Sequence, residues 1–392
     1  MNLVKIRKRT KFAVIAVSAI LLIAAFSFVF NPLGLGPEPE SMLAPEFFDH
    51  PAQDLSGLEL LIDGEEAFDR VLGAIDSAES SIFVQTYIWK DDVIGRLVAD
   101  RLKQAATRGV QVTVRKDVLG TVFELVDMLK GKPSPVYTKS GLRGQDNINV
   151  KTDISADTDH SKYFVVDENV AIFGGMNIAD EYHTEWHDYM ALVGTKRWAK
   201  AFADKVIHGA SWPVAGPAVV AVNDRNATEI RTATIEMLDH AKESIIIEHA
   251  YFSDDQVIEA VGRAANRGID IDVVLPREPD THVFANLATI NRLLKMGASN
   301  TMRILLYPQM THAKVILTDG AIAAVGSANL TPRSMRTSME VTLFIHGEPE
   351  TRFIRELRER LEADIGESEL VSRPTELSYY ERLKALVGKY VW

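Results

Sequence analysis

Two histidines and two lysines stand in matched settings in this chain. His160 and Lys162 are two residues apart and are followed by Asp167, Gly174, Gly175 and Asn177. His312 and Lys314 open a second copy, followed at the same intervals by Asp319, Gly326, Ser327 and Asn329. A further carboxylate lies 28 residues after each histidine, Asp188 in one copy and Glu340 in the other. This set suits phosphodiester cleavage. A histidine titrates near ~6.5, so one imidazole can attack phosphorus while the other protonates the leaving oxygen. Lys162 and Lys314 would be fixed cations for the charge growing on the phosphoryl oxygens, and Asn177 and Asn329 would add amide donors. Asp188 and Glu340 would hold each ring in the required tautomer. Asp167 and Asp319 read instead as turn and strand-cap residues. Gly174, Gly175, Gly326 and Ser327 read as structural positions of the motif, the glycines allowing close backbone approach.

The elements that carry these residues are legible. Tyr163–Val166 and Ala171–Phe173 are apolar, as are Val315–Leu317 and Ala321–Val325. Asp167-Glu168-Asn169 and Asp319-Gly320 interrupt them as tight turns, so each motif is expected to form a hairpin. Residues two apart on a strand share a face, which sets each histidine beside its lysine. Upstream, helical spacing at 65–78, an apolar run at Ser81–Trp89, helical spacing at 92–107 and an apolar run at Val110–Val114 give a β-α-β rhythm. That rhythm recurs. Ala74–Asp92 aligns without a gap on Met237–Asp255, and Arg108-Gly109 is echoed by Arg267-Gly268. Two copies of this size indicate duplication into a pseudo-twofold body.

The doubled motif resembles the HKD signature of the phospholipase D superfamily, over roughly residues 55–365. The resemblance implies an α/β fold of two pseudo-twofold halves, each a mixed sheet flanked by helices, sharing one site. It also implies a phosphohistidine intermediate, no metal or other cofactor, and site carboxylates that can cross between halves. By the family's usual order His160 is the nucleophile. Gln85–Asp92, Gly174–Ile178, Trp186–Asp188 and the ending after Arg373-Pro374 are similar to bacterial cardiolipin synthases and related phosphatidyltransferases. Two features depart from that branch. One apolar N-terminal segment stands where two are common. Asp157-Thr158-Asp159, not arginines, precedes His160, which argues against an anionic lipid substrate.

Composition narrows the partners. The 392 residues carry a net charge of −11, which disfavours a broad nucleic-acid surface. There is no cysteine, so thiolate chemistry and disulfides are excluded. Lys5, Arg7, Lys8, Arg9 and Lys11 precede an uncharged apolar run, Phe12–Phe30, of 19 residues. This reads as an uncleaved transmembrane anchor, a cleaved signal peptide being the alternative. The flanking charge puts residues 1–11 in the cytoplasm and the catalytic body outside. The organisation expected is an anchor at 12–30, a Pro/Gly-rich linker at 31–54, halves at 55–215 and 216–370, and an amphipathic helix at 371–392. That last helix reads as packed on the body, with a place on the membrane surface as the alternative. Residues 130–146 read as a loop at the rim of the site. His183, Glu185 and His187 have the spacing of a metal cluster, but the duplicated frame accounts for the chemistry without one. His249 and His282 could line the pocket. The expected substrate is a glycerophospholipid, with an alcohol or water as acceptor. A nuclease of the same chemistry and a non-catalytic tethered binding protein are the competing readings.

Overall fold

The structure is a computed structural model. It describes residues 36–391 except 122–123, 125–129, 133, 139–140, 155–156, 213–215 and 297–300. The expected anchor, Phe12–Phe30, lies outside the described residues. Among those described, no helix is long and apolar enough to cross a membrane.

The first half holds β1 (Leu58–Ile62), α2 (Asp63–Ser77), β2 (Ser81–Thr86), α3 (Val93–Thr107), β3 (Gln111–Asp117), β4 (Ile148–Asp153), β5 (Thr158–Asp159), β6 (Tyr163–Val166), β7 (Val170–Gly174), β8 (Tyr189–Val193) and α4 (Lys196–His208). The short α1 (Pro45–Asp49) precedes them. The second half holds β9 (Ala218–Asn223), α5 (Ile230–His240), β10 (Ser244–His249), α6 (Asp255–Asn266), β11 (Asp270–Pro276), α7 (Val283–Met296) and β12 (Met302–Tyr307). It continues with β13 (Lys314–Thr318), β14 (Ile322–Gly326), α8 (Pro332–Arg336), β15 (Ser338–His346), α9 (Arg352–Glu367), β16 (Glu369–Leu370) and α10 (Tyr379–Val391).

The two sheets repeat one topology. The first runs β1-β8-β7-β6-β2-β3-β4. The second runs β9-β15-β14-β13-β10-β11-β12, extended by β16 beyond β12 and by β5 against β15. β2-β3-β4 and β10-β11-β12 pair in parallel, as does β5 with β15, whereas the motif hairpins are antiparallel. The sheets are therefore mixed. Along β6, Tyr163 and Val165 join the core between the sheets, while Phe164 and Val166 join the core under α2 and α3. Val315 and Leu317 of β13 join the same inter-sheet core. Strands buried on both faces read as continuous apolar runs, as these do.

Both hairpin turns have left-handed backbone: Asp167 and Glu168 at φ 53° and 52°, Asp319 and Gly320 at 52° and 59°. Two successive residues at positive φ match the twist of a two-residue hairpin. Asp167 accepts hydrogen bonds from the backbone N–H of Glu79, Ser80 and Ser81 and from the Ser80 hydroxyl. Asp319 repeats this with Lys242, Glu243 and Ser244. Partial burial opposes the Asp167 charge, but these hydrogen bonds prevail and hold its carboxyl below the ordinary range. Each motif aspartate fastens its hairpin to the start of the neighbouring parallel strand.

Two segments differ from expectation. From Gly36 the presumed linker is docked on the second half: Glu236 accepts from the N–H of Met42 and Leu43, and Leu43 and Phe47 are buried in its core. Its Pro/Gly/acid composition hides these few apolar anchors. In the presumed rim loop, Val136 and Leu142 are buried in the first half's core, so part of that segment is interior.

If Asp167 only fastens the fold, Asp167→Ala should cost about 1–2 kcal/mol, the range for a lost capping side chain. Thermal unfolding should show the loss, and turnover below the new melting transition should stay within a few-fold of the parent.

Candidate active site

Each motif hairpin is pinned to the opposite half just before its histidine. β5 pairs with the start of β15, and the His160 N–H donates to Met339 O at 2.9 Å. His187 bridges to Thr311, and the His312 N–H donates to His187 O at 2.6 Å. The residues after Met339 and His187 are Glu340 and Asp188. The pinning thus sets each carboxylate beside the histidine of the other half. His160 Nδ1 is 2.9 Å from Glu340 Oε1, and His312 Nδ1 is 2.7 Å from Asp188 Oδ2. With Nδ1–H given to a carboxylate, the lone pair of each ring is left on Nε2.

The lysines lie as the spacing predicts. Lys162 Nζ donates to His160 O, and Lys314 Nζ donates to His312 O and lies 2.8 and 3.2 Å from the His312 ring nitrogens. The halves also act on each other: Lys314 and Lys162 both depress His160, and Asp188 supports Lys162. Burial dominates. It lowers His160 to about 4, against the pull of Glu340, and lowers His312 despite Asp188. It lowers Lys162 to about 7 and Lys314 to about 8, each partly offset by the two carboxylates. Glu340 is held below its ordinary value: burial opposes the charge, but His160 beside it prevails. Burial thus favours neutral imidazoles and weakens the charge on both ammonium groups, which a bound anion would restore.

The other motif positions divide. Ser327 does more than allow backbone approach, since its hydroxyl donates to Glu340 at 2.5 Å and accepts from the Val341 N–H. Its counterpart must be glycine, because a Cβ on Gly175 would fall 2.3 Å from Asp188 Oδ1. Asn177 gives its carbonyl to the Ile88 N–H, whereas buried Asn329 has an Oδ1 without a protein partner. The acidic flank of His160 turns aside: Asp157 pairs with Arg225, and Asp159 accepts from Ser161. Each flanking carboxylate thus has a partner of its own.

Several groups were not singled out from sequence. Tyr87 stands edge-on to His160 at 4.9 Å between ring centroids, with Lys162 Nζ 5.6 Å from its ring. Tyr182, Trp186 and Tyr251 surround His312 at 5.0, 5.7 and 6.3 Å. Tyr87 directly follows β2 and Tyr251 lies two residues beyond β10; the gap-free alignment sets them one position apart, so the repeat does not pair them. His282 stacks on Tyr251 at 4.3 Å, and buried His249 pairs in register with Lys314. Burial, reinforced by Lys314, keeps His249 neutral.

His183, Glu185 and His187 do not converge. His183 packs against Phe68 and Glu185 is exposed. His187 instead meets Glu248 and Asp364 of the second half at 3.8 and 3.3 Å, and Asp63 at 2.5 Å. Buried His187, Glu248 and Asp364 lie close enough together to face a cation, and a protein cation is already beside them. Arg360 sits 2.7 Å from Asp364. Burial would discharge His187, yet Glu248, Asp364 and Asp63 outweigh it and push the imidazole up to about 10. These carboxylates favour the protonated imidazole.

A model of the family described as cardiolipin synthase, PLD-like domain, matches residues 71–208 and 234–365. The chain belongs to this family. It is thus a phospholipase D-superfamily enzyme in two halves. It is 31% identical to the major cardiolipin synthase ClsA of Bacillus subtilis over 74% of this chain and 66% of that protein. It is 27% identical to a cardiolipin synthase of Oceanobacillus iheyensis over 81% of this chain and 70% of that one. Phosphatidylserine synthase of Haemophilus influenzae shares the fold at TM-score 0.65 and 13% identity, over 94% of this chain and 97% of that one.

Removing the buried imidazolium should be severe. His187→Gln removes the cation nearest Glu248 and leaves Asp364 with Arg360 alone, at a cost of about 3–5 kcal/mol at neutral pH. The native contribution is full below the unfolded value of ~6.5 and is lost as pH rises through about 10. Melting curves of parent and variant should converge across that window.

Proposed function

We propose that this chain is a membrane-attached phosphatidyltransferase acting on glycerophospholipids through a phosphohistidine. The observation that carries this reading is the pair of crossed His–carboxylate dyads, each with a buried lysine. His160 Nε2 attacks phosphorus, and the bond to the leaving alcohol breaks. With the anionic phosphodiester bound, His312 holds a proton on Nε2 and gives it to that alcohol. An acceptor hydroxyl then attacks the phosphohistidine, returning its proton to His312 and freeing His160. Glu340 and Asp188 hold the rings and balance their charge. Lys162, Lys314, Asn177 and Asn329 receive the phosphoryl oxygens, whose charge keeps both lysines protonated.

The relatives' names favour a phosphatidyl group as the unit transferred. With Asp157 paired to Arg225 and Asp159 bonded to Ser161, we read the acidic flank as compatible with an anionic lipid, so an alcohol-bearing acceptor such as phosphatidylglycerol fits as well as water. The apolar run Phe12–Phe30 is our reading of how the body is held, with residues 1–11 cytoplasmic and the body outside.

Single replacements His160→Ala and His312→Ala should each lower turnover about a thousandfold or more, with the fold intact by circular dichroism. Trapping with phosphorus-labelled lipid should mark the peptide holding His160. Label on the peptide holding His312 would reverse the two roles, and activity at parental level in both variants would end the shared-site reading.

A pH profile provides a separate check. In the free enzyme His160 is neutral above about 4, while Lys162 and Lys314 lose charge as pH rises through about 7 and about 8. On detergent-dispersed lipid, kcat/KM should rise across the first value and fall across the other two.

A further inference from the structure

We propose that α10 lies in the surface of a phospholipid bilayer and turns the mouth of the site toward the lipid. The proposal rests on the reading of this site as one that acts on phospholipids, and it names the face of the body that meets them.

α10 packs on α7 by one side only. Ala385 is buried there, Gly388 lies close to Ala285, and Lys389 pairs with Asp255 at 2.6 Å. The opposite side is apolar and uncovered. Tyr379 is 86% exposed, Tyr380 64%, Leu386 57%, Val387 49%, Leu383 47% and Tyr390 44%. At ~100° per residue these six fall within an arc of roughly 120° centred on Leu383. Arg382 and Lys384 border that arc on its two sides. An apolar arc edged by cations, with tyrosines among its residues, is the pattern of a helix lying in a membrane interface.

Two further observations select lipid as the occupant. The arc is continuous with the site. Lys384 Nζ lies over the rings of both Tyr380 and Phe284. Phe284 and the exposed Val283 open α7, directly after His282. His282 stacks on Tyr251, which stands beside His312. On its other flank α10 lies against α8, whose Arg333 donates to Thr158, two residues before His160. The second observation is where the chain joins the body. The described residues begin at Gly36, six residues after Phe30, and Gly36 O and Pro37 O accept from Thr228 beside the start of α5. α5 in turn lies against α8. Six residues reach at most ~20 Å, so an apolar run set in a bilayer would hold this same face near its surface.

The chain has no cysteine, so one environment-sensitive fluorophore can be placed without background. Leu386→Cys and, as control, Asp100→Cys on α3 are labelled in the full chain. Each is reconstituted into vesicles of equal parts phosphatidylcholine and phosphatidylglycerol. The label at 386 should brighten, shift to the blue and be quenched by lipids carrying a nitroxide near the headgroup, while the label at 100 stays water-like. A water-like signal at 386 in vesicles would overturn the proposal. So would a blue shift that appears in lipid-free detergent as protein concentration rises, which would assign the arc to a second copy of the chain. Replacing Leu383, Leu386 and Val387 together by Glu should lower turnover on vesicles about tenfold or more. Turnover of a short-chain monomeric phospholipid should be unchanged. Parental turnover on vesicles would count against the proposal. No turnover of any phospholipid by the parent would defeat the functional reading and leave the label result standing.

Discussion

The structure depends on the exchange of backbone hydrogen bonds between halves just ahead of each motif histidine. His160 N–H reaches Met339 O, and His312 N–H reaches His187 O. These bonds do more than close an interface. They set the register between the hairpin of one half and the last sheet strand of the other. A strand alternates faces at every residue, so a slip of one position would swing Glu340 or Asp188 away from its ring. The inter-sheet core is the counterpart of this register, because Tyr163, Val165, Val315 and Leu317 rise from the same hairpins that carry the histidines and lysines. The packed core and the chemical site occupy two parts of one pair of hairpins.

Burial gives the site its electrostatic character. Two lysines, two histidines and two carboxylates share a space from which water is largely withdrawn. Desolvation is the first influence on His160, Lys162, His312 and Lys314 alike, and it favours the uncharged form in each. Fixed groups of this kind need no reorganisation when charge develops on a bound phosphoryl group. The carboxylates prevent the opposite failure, a site so discharged that it holds no anion.

Much of this was legible in sequence because it is local. The hairpins follow from apolar runs broken by turn residues, and His160 beside Lys162 follows from strand alternation. The structural role of Asp167 and Asp319 follows from their place at the turn. The matched 28-residue interval picked out Asp188 and Glu340 as well, but spacing alone left open which histidine each would meet, since that depends on how two sheets face each other. The cluster of Asp63, His187, Glu248 and Asp364 was hidden for the same reason: its members come from four distant elements. His187 therefore looked like the partner of its neighbours His183 and Glu185. The docked segment from Gly36 was masked by its composition, with Leu43 and Phe47 as its few anchors.

The pseudo-twofold relation is broken behind the two dyads. Asp63 follows β1 opposite Asp188, where the second half has Asn223 opposite Glu340. Met339 stands where the first half has His187. The aligned partner of Glu248 is Gln85, a buried amide without a protein partner. α9 is 16 residues long and brings Asp364 into its cluster, while α4 is 13 residues long and turns away at Gly209. Beyond that end lies a cavity of about 540 Å³, lined among others by Arg115, Asp159, Lys205, Asn223 and Glu340. His312 and Asp188 thus back onto a packed ionic cluster, and Glu340 borders open volume. Duplication supplies two equivalent histidines, whereas attack and proton donation are inequivalent tasks. An environment filled behind one dyad and open behind the other is a physical means of making them inequivalent.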